Sequence, residues 1–151
     1  MTGDEGGQAL VEFAMVIGLF LLCLVGAMSA AVYTVQRSAA VTGVTAGARI
    51  AAGGTAGLDG ANTPNLAGAP PAVARIAAPV MVGTRIRQLD PGRDCPPSDR
   101  IPGGEVDVCA VQSGGTVTVR LRGRPGTAVQ IPGLAWSLDL SAEVHAVTFA
   151  A

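Results

Sequence analysis

The chain has 151 residues and a formal net charge of −1, and aromatic residues make up only 3% of it. All ten basic residues are arginine, and so small a net charge excludes the basic surface typical of nucleic-acid-binding proteins. The sequence has no phosphate-binding loop and no closely spaced metal ligands, so we expect no enzyme activity, no catalytic residue, no metal and no cofactor.

The first predicted element is a transmembrane helix at residues 8–36. From Phe13 to Gln36 there are 24 residues without a formal charge, and they would rise about 36 Å, enough to cross a hydrocarbon core of about 30 Å. Glu12 lies at the start of this apolar run. An acidic residue at the centre of a spanning helix costs about 2.5–3.5 kcal/mol, which indicates a partner or a role. The alternative is an interfacial acid favoured by the helix dipole.

The residues around Glu12 carry a resemblance to a known family. Gly7 precedes Gln8, and Glu12 and Phe13 are the fifth and sixth residues counted from Gln8. This order resembles the class III signal of type IV pilins. The strings GQALVEFAMV and VTAGARIAA resemble the TadE/TadF family, the pseudopilins of tight-adherence (Tad, or Flp) pili. The resemblance implies that prepilin peptidase removes a leader of residues 1–7, and that Glu12, beside Phe13, then neutralises the new amino group of Gln8.

The resemblance also implies partners and a location. The partners are prepilin peptidase, other Tad pilins, the membrane assembly platform and membrane lipid, in a structural role in pilus assembly and cell adhesion. The protein would cross the cytoplasmic (inner) membrane once, with its C-terminal domain outside the cytoplasm, or enter the pilus. The leader carries Asp4 and Glu5 and no basic residue, which departs from the usual basic cytoplasmic flank.

The helix is predicted to continue past the bilayer as an amphipathic extension at residues 37–52. Polar residues fall on one side of the 3.6-residue period and apolar ones on another, namely Ser38, Thr42, Thr45 and Arg49 against Val41, Val44, Ala48 and Ala51. Gly53 and Gly54 end the helix. Residues 53–71 are rich in Gly and Pro and are predicted to form a linker.

Residues 72–151 are predicted to form a small pilin-like domain. Residues 72–87 fit a helix face, but Pro79 would kink it, and the segment from Val80 onward fits a strand equally well. Alternating residues then predict a hairpin that turns at Ser113-Gly114-Gly115, with its apolar face formed by Val106, Val108, Ala110, Val117, Val119 and Leu121. The fold class is therefore α+β, a long helix covering an antiparallel sheet of three or four strands.

The last predicted strand runs from Trp136 to Ala146. Asp139, Ser141 and His145 alternate along it, so they share the polar face of a strand rather than form a catalytic triad. The arginines of the preceding hairpin strand, Arg120, Arg122 and Arg124, are interpreted as a solvated sheet face, with a docking stripe as the alternative.

The cysteines indicate an oxidising compartment. Cys95 and Cys109 enclose 13 residues rich in Pro, Asp and Gly, and a disulfide closing such a loop would contribute about 3 kcal/mol. The alternatives are two reduced cysteines in a cytosolic loop, or a metal site, for which the distant His145 is a single further ligand. Cys23 lies in the predicted span and is interpreted as a small apolar side chain without a chemical role.

Two other classes of protein fit the N-terminal half less well. In one, signal peptidase cuts near Ala31 and releases a soluble secreted domain, but Glu12 and the lack of a basic leader argue against it. In the other, the chain is an uncleaved single-pass anchor that presents a binding domain. The mature N-terminus distinguishes the three, because it would be Gln8, Val32 or Met1.

Overall fold

The computed structural model describes residues 5–56, 62–126 and 138–145, and within the last range only the side chain of Asp139. The sequence-predicted Trp136 and Ala146, the first four leader residues and residues 57–61 of the predicted linker lie outside the described residues. The helices are α1 (Glu5–Gly53) and α2 (Ala69–Ala77). The strands are β1 (Thr55–Ala56), β2 (Asn62–Thr63), β3 (Arg85–Gln88), β4 (Glu105–Ser113), β5 (Thr116–Arg124) and β6 (Leu138–His145).

The long helix α1 contains 49 residues, which gives it a length of about 73 Å. It ends at Gly53 as predicted, and Gly54 follows with a positive φ of 56°. The predicted polar side is exposed, and the buried face consists of Gln36, Ala40, Gly43, Val44, Gly47, Ala48 and Ala51. The assignment of Val41 to the buried face is wrong, because Val41 is 46% exposed. It lies about 100° around the helix from Ala40, on the edge away from the core.

Two glycines let α1 and α2 approach closely. A Cβ atom added at Gly47 would lie 2.6 Å from Val73 Cγ2 and 3.1 Å from the Ala69 carbonyl oxygen. A Cβ atom at Gly43 would lie 3.2 Å from the Val73 carbonyl oxygen. The backbone of α1 at these two glycines therefore lies directly against α2. A larger residue at either position would force the two helices apart.

The segment between α1 and the main sheet contains both a helix and short strands. Short strands β1 and β2 pair antiparallel, and α2 begins at Ala69, whose side chain is buried. The helix ends at Ala77, two residues before Pro79, because proline cannot continue the backbone hydrogen bonds. A turn follows, in which Met81 is buried, and β3 begins at Arg85. The helical interpretation thus holds up to Ala77, and the strand interpretation holds from Arg85.

The main sheet has four strands in the order β3-β4-β5-β6. The predicted hairpin is confirmed, since Ser113 pairs with Thr116 across Gly114 and Gly115, and β6 pairs antiparallel with β5. However, β3 pairs parallel with β4, so the sheet is mixed rather than antiparallel throughout. A parallel pair needs a crossover connection of a dozen or more residues, and residues 89–104 supply it.

The core lies between the helices and one face of the sheet. The six predicted apolar residues of the hairpin are all buried there, together with the buried residues of α1 and α2. The opposite face was expected to be solvated, yet Asp107 and Cys109 on it are fully buried. The crossover at residues 89–104 accounts for the burial of this face, because two of its residues, Cys95 and Ile101, are themselves buried.

The predicted disulfide between Cys95 and Cys109 is confirmed, with a sequence separation of 14 residues. It ties the crossover to β4 at the residue that pairs with Arg120 of β5. Arg120 Nη1 also lies 2.9 Å from both carboxylate oxygens of Asp94. A covalent bond and an ion pair therefore fix the same point of a loop that contains little apolar surface.

An ion pair neutralises the buried carboxylate of Asp107. Arg87 Nε of β3 lies 2.9 Å from Asp107 Oδ1, and the Asp107 side chain is 0% exposed. Arg87 also donates to Glu105 at 3.2 Å. Arg87 therefore joins the parallel edge strand to two acidic residues of β4.

We expect Gly47→Val to destabilise the domain by about 2 kcal/mol, because the added methyl groups overlap Val73 and the Ala69 carbonyl. Thermal unfolding of the full chain in detergent measures the change. Val73→Ala in the same chain should restore part of the loss by making room. Gly26→Val is the matched control, since a Cβ atom there meets nothing within 4 Å. Equal effects at the two glycines would contradict the packing argument.

We expect Arg87→Met to lower the free energy of unfolding by about 2–3 kcal/mol, because it leaves the Asp107 carboxylate buried without a cation. Arg85→Met is the control. Arg85 is 78% exposed and 3.9 Å from Glu105, so its loss should cost less than about 1 kcal/mol. Denaturant unfolding compares the two variants, and similar values for both would show that Asp107 does not depend on Arg87.

Candidate functional site: the exposed half of the long helix

Most of the part of α1 that precedes the domain is uncovered in the described structure, and near its end Tyr33 packs, partly buried, against the core. We call residues 7–35 the exposed half-helix. Every residue from Gly7 to Val25 is exposed. The large apolar side chains involved include Leu10, Phe13, Met15, Leu19, Phe20, Leu22 and Leu24, which are 47–71% exposed. An exposed apolar surface of this extent on all sides of a helix is typical of contact with lipid or with other helices.

Among the described residues, α1 is the helix that is long and apolar enough to cross a membrane. Ser29 and Thr34, near the end of the apolar segment, have hydroxyl groups that are satisfied within the helix. Ser29 Oγ donates to the Val25 carbonyl at 2.9 Å, and Thr34 Oγ1 donates to the Ala30 carbonyl at 2.6 Å. Such bonds remove the cost of placing these hydroxyls in hydrocarbon. Cys23 is a free, exposed thiol on the same half-helix.

The sequence-predicted processing residues lie in the first turns of α1. Gln8 Nε2 donates to Glu12 Oε1 at 3.2 Å, so the carboxylate is directed one turn back toward residue 8. Phe13 is 65% exposed and faces no other part of the described chain. A Cβ atom at Gly7 would meet nothing within 4 Å. Packing against the described residues therefore does not require glycine at this position.

Gln36 is the first buried residue along α1 in the described part of the chain. It is 2% exposed, and its Nε2 donates to the Gly126 carbonyl at 3.4 Å. The Gly126 amide in turn donates to Thr84 Oγ1 at 2.8 Å. From the sequence, Gln36 was expected only to end the span. Its spacing of four from Ala40, which begins the buried small-residue face, is the signal that would have identified it as a domain contact.

The other candidate residues have structural partners. Arg120 pairs with Asp94, and Arg122 Nε lies 2.8 Å from Asp139 Oδ1, which agrees with a charged sheet face rather than a docking stripe. Ser141 and His145 lie on β6 in register with Arg120 and Thr116 of β5. No group of three or more His, Cys, Asp or Glu residues that could hold a metal occurs among the described residues.

Comparison with known proteins gives one match. Residues 7–49 match the family described as TadE-like protein, which confirms the resemblance found in the sequence. The match begins at Gly7 and ends near the end of α1, so it contains the exposed half-helix and the part of α1 that packs on the domain. No curated protein and no solved structure matches the chain.

Proposed function

We propose that this protein is a minor pilin, or pseudopilin, that takes part in assembling a Tad (Flp) type IV pilus. The observation that carries the proposal is the match of residues 7–49 to the TadE-like family, together with an apolar helix that the domain leaves uncovered. A helix of this kind is suited to packing beside other helices in a membrane or in a fibre. The role is structural, and the partners are other Tad pilins, the membrane assembly platform and lipid.

In this proposal prepilin peptidase cuts between Gly7 and Gln8. Both residues lie in the first turns of α1, where the amide groups lack intrahelical acceptors and the helix opens most readily. Gly6 and Gly7 weaken this end further, since each glycine disfavours a helix by about 1 kcal/mol relative to alanine. The leader can therefore unwind and present its backbone to a peptidase without disturbing the domain.

The cut gives Glu12 a charged partner. After cleavage the chain begins with the ammonium group of Gln8, about 6 Å along the helix axis from residue 12. The hydrogen bond from Gln8 to Glu12 supports this role, because it directs the carboxylate toward residue 8. Glu12 would neutralise the ammonium group of its own chain or of a neighbour inside the apolar helix bundle.

The disulfide supports a domain outside the cytoplasm. Disulfides such as that of Cys95 and Cys109 persist in oxidising compartments and are rare in the cytosol. With the domain on that side, α1 crosses the cytoplasmic membrane once and its N-terminus faces the cytoplasm. The Gly7–Gln8 bond is then at the cytoplasmic surface.

We expect the mature protein to begin at Gln8, and Gly7→Ala to block this maturation, because a side chain at the scissile carbonyl obstructs the catalytic groups of the peptidase. Intact-mass measurement of the membrane-extracted protein reads the result. A Cβ atom at Gly7 meets no described residue within 4 Å, so the variant should fold normally.

Gly6→Ala is the matched control for Gly7→Ala, since it strengthens the same helical turn without changing the residue at the cut, and it should still be processed. Loss of seven residues from the Gly7 variant would refute the assigned cut. A wild-type terminus at Met1 or Val32 would favour the uncleaved anchor or the secreted domain.

We expect Glu12→Gln to leave insertion and processing intact but to reduce pilus assembly roughly tenfold or more, because an unpaired ammonium group would remain in the helix bundle. Glutamine keeps the size of the side chain and its ability to bond Gln8. Glu12→Asp, which keeps the charge, should assemble better than Glu12→Gln. The readout is the quantity of sheared pili from strains carrying only the variant, and normal piliation with Glu12→Gln would exclude this role.

A further inference from the structure

An apolar groove lies where the exposed half-helix meets the domain. Its walls are formed by Val32, Val35 and Gln36 of α1 and by Val80, Val82 and Gly83 of the turn between α2 and β3. We call residues 78–83 of this turn the interface turn. Val82 is 78% exposed, more than any other large apolar side chain among the described residues. The interface turn therefore presents an aliphatic side chain outward although Met81 beside it is buried in the core.

The position of the groove along α1 fixes its depth relative to a membrane. Arg37 is exposed and is the first formally charged residue after Glu12, so the hydrocarbon region ends close to residue 36. Val32 and Val35 precede Arg37 and belong to the last turns of the span. Because Val80 and Val82 line the same groove as these residues, the interface turn lies at the depth of the last turns and not above them.

We propose that the interface turn enters the membrane interface, so that Val80 and Val82 contact lipid and the domain rests on the bilayer surface. The proposal rests on the proposed function in one respect, namely that α1 spans a membrane. The apolar surface of the turn is continuous with that of the exposed half-helix, so both would be covered by the same lipid. Arg37 and the 78% exposed side chain of Arg85 adjoin this surface in sequence, as cations near anionic headgroups do.

A polar group in the groove favours hydrated lipid over the helix of a second copy. Gln36 Oε1 is buried and accepts no hydrogen bond among the described residues. Gln36 lines the groove, so interfacial water, which is smaller than any side chain of a second copy, is the donor best able to reach this oxygen. Residues 13–28 of the exposed half-helix of another copy offer little for this purpose, since their only side-chain donor is the weak thiol of Cys23.

The experiment measures the depth of a fluorescent probe in the membrane. The full chain carrying Val82→Cys and Cys23→Ala is labelled with an environment-sensitive dye, without reductant so that the Cys95–Cys109 disulfide stays closed. It is reconstituted into vesicles of phosphatidylcholine and phosphatidylglycerol that contain lipids with a doxyl quencher near the headgroup. We expect blue-shifted emission, strong quenching by the doxyl lipid, and protection from aqueous iodide. Val82 is exposed, so the substitution leaves the core unchanged.

Two reference positions complete the test. Ser113→Cys, also with Cys23→Ala, places the dye on the exposed hairpin tip, about 27 Å along β4 from Glu105, and should be quenched by iodide but not by lipid. Native Cys23, labelled in the wild-type chain, reports the span itself with a quencher deep in the acyl chains.

Each contrary outcome identifies what fails. If the dye at Cys23 is quenched by lipid but the dye at Val82 behaves like that at Ser113, the interface turn does not reach the membrane and the span stands. If the emission at Val82 is blue-shifted but insensitive to doxyl lipid, and the shift disappears when the protein is diluted in the vesicles, a second copy covers the groove and the proposal is overturned. If Cys23 is not quenched either, both the proposal and the membrane span fail.

Discussion

The close packing of α1 on α2 and the sheet is the constraint on which the rest of the structure depends. Gly43 and Gly47 bring α1 within contact distance of Val73, and this contact closes a core built almost entirely from Val and Ala. Small side chains gain little stabilisation individually, so such a core depends on dense packing. Because α1 is continuous from Glu5 to Gly53, the same contact also fixes the direction in which the exposed half-helix leaves the domain.

Periodicity in the sequence predicted the parts of the fold that have one exposed and one buried side. The hairpin follows a strict alternation, and Gly114, the first of its two turn residues, has the positive φ of 58° that a two-residue loop favours. The polar side of α1 follows from spacings of three and four residues. The disulfide followed from the composition of the enclosed loop, which cannot order itself by burial. In each case a short-range pattern and the tertiary structure agree.

The sequence did not predict features that depend on partners distant in the chain. The parallel pairing of β3 with β4 is formed through a crossover without a helix, so nothing in the local pattern distinguishes it from an antiparallel neighbour. Asp107 was expected on a solvated face, because its burial depends on the crossover and on Arg87. Val41 fits the apolar period nearly as well as Ala40. Val41 is exposed because α1 packs on α2 through the side of the helix that carries Gly43 and Gly47.

The charge of Glu12 limits what it can contribute to a pilus in the proposed function. At an effective dielectric constant of about 20, an ammonium group 6 Å away stabilises a carboxylate by about 3 kcal/mol. This is close to the cost of about 2.5–3.5 kcal/mol for an acid at the centre of a spanning helix. Cleavage would therefore offset much of the cost of the Glu12 carboxylate within a single subunit, while the ammonium group adds a desolvation cost of its own.

An ion pair between Glu12 and the ammonium group of a neighbouring subunit adds little further stabilisation. At 4 Å the same interaction is worth about 4 kcal/mol, and a carboxylate that already reaches residue 8 of its own chain gains little when a neighbour's ammonium group replaces its own. That gain is too small to drive assembly, but a pair at the wrong register leaves two charges unmatched in an apolar bundle. Glu12 would thus select the axial register of the subunits, while packing of the exposed half-helix supplies the free energy of association.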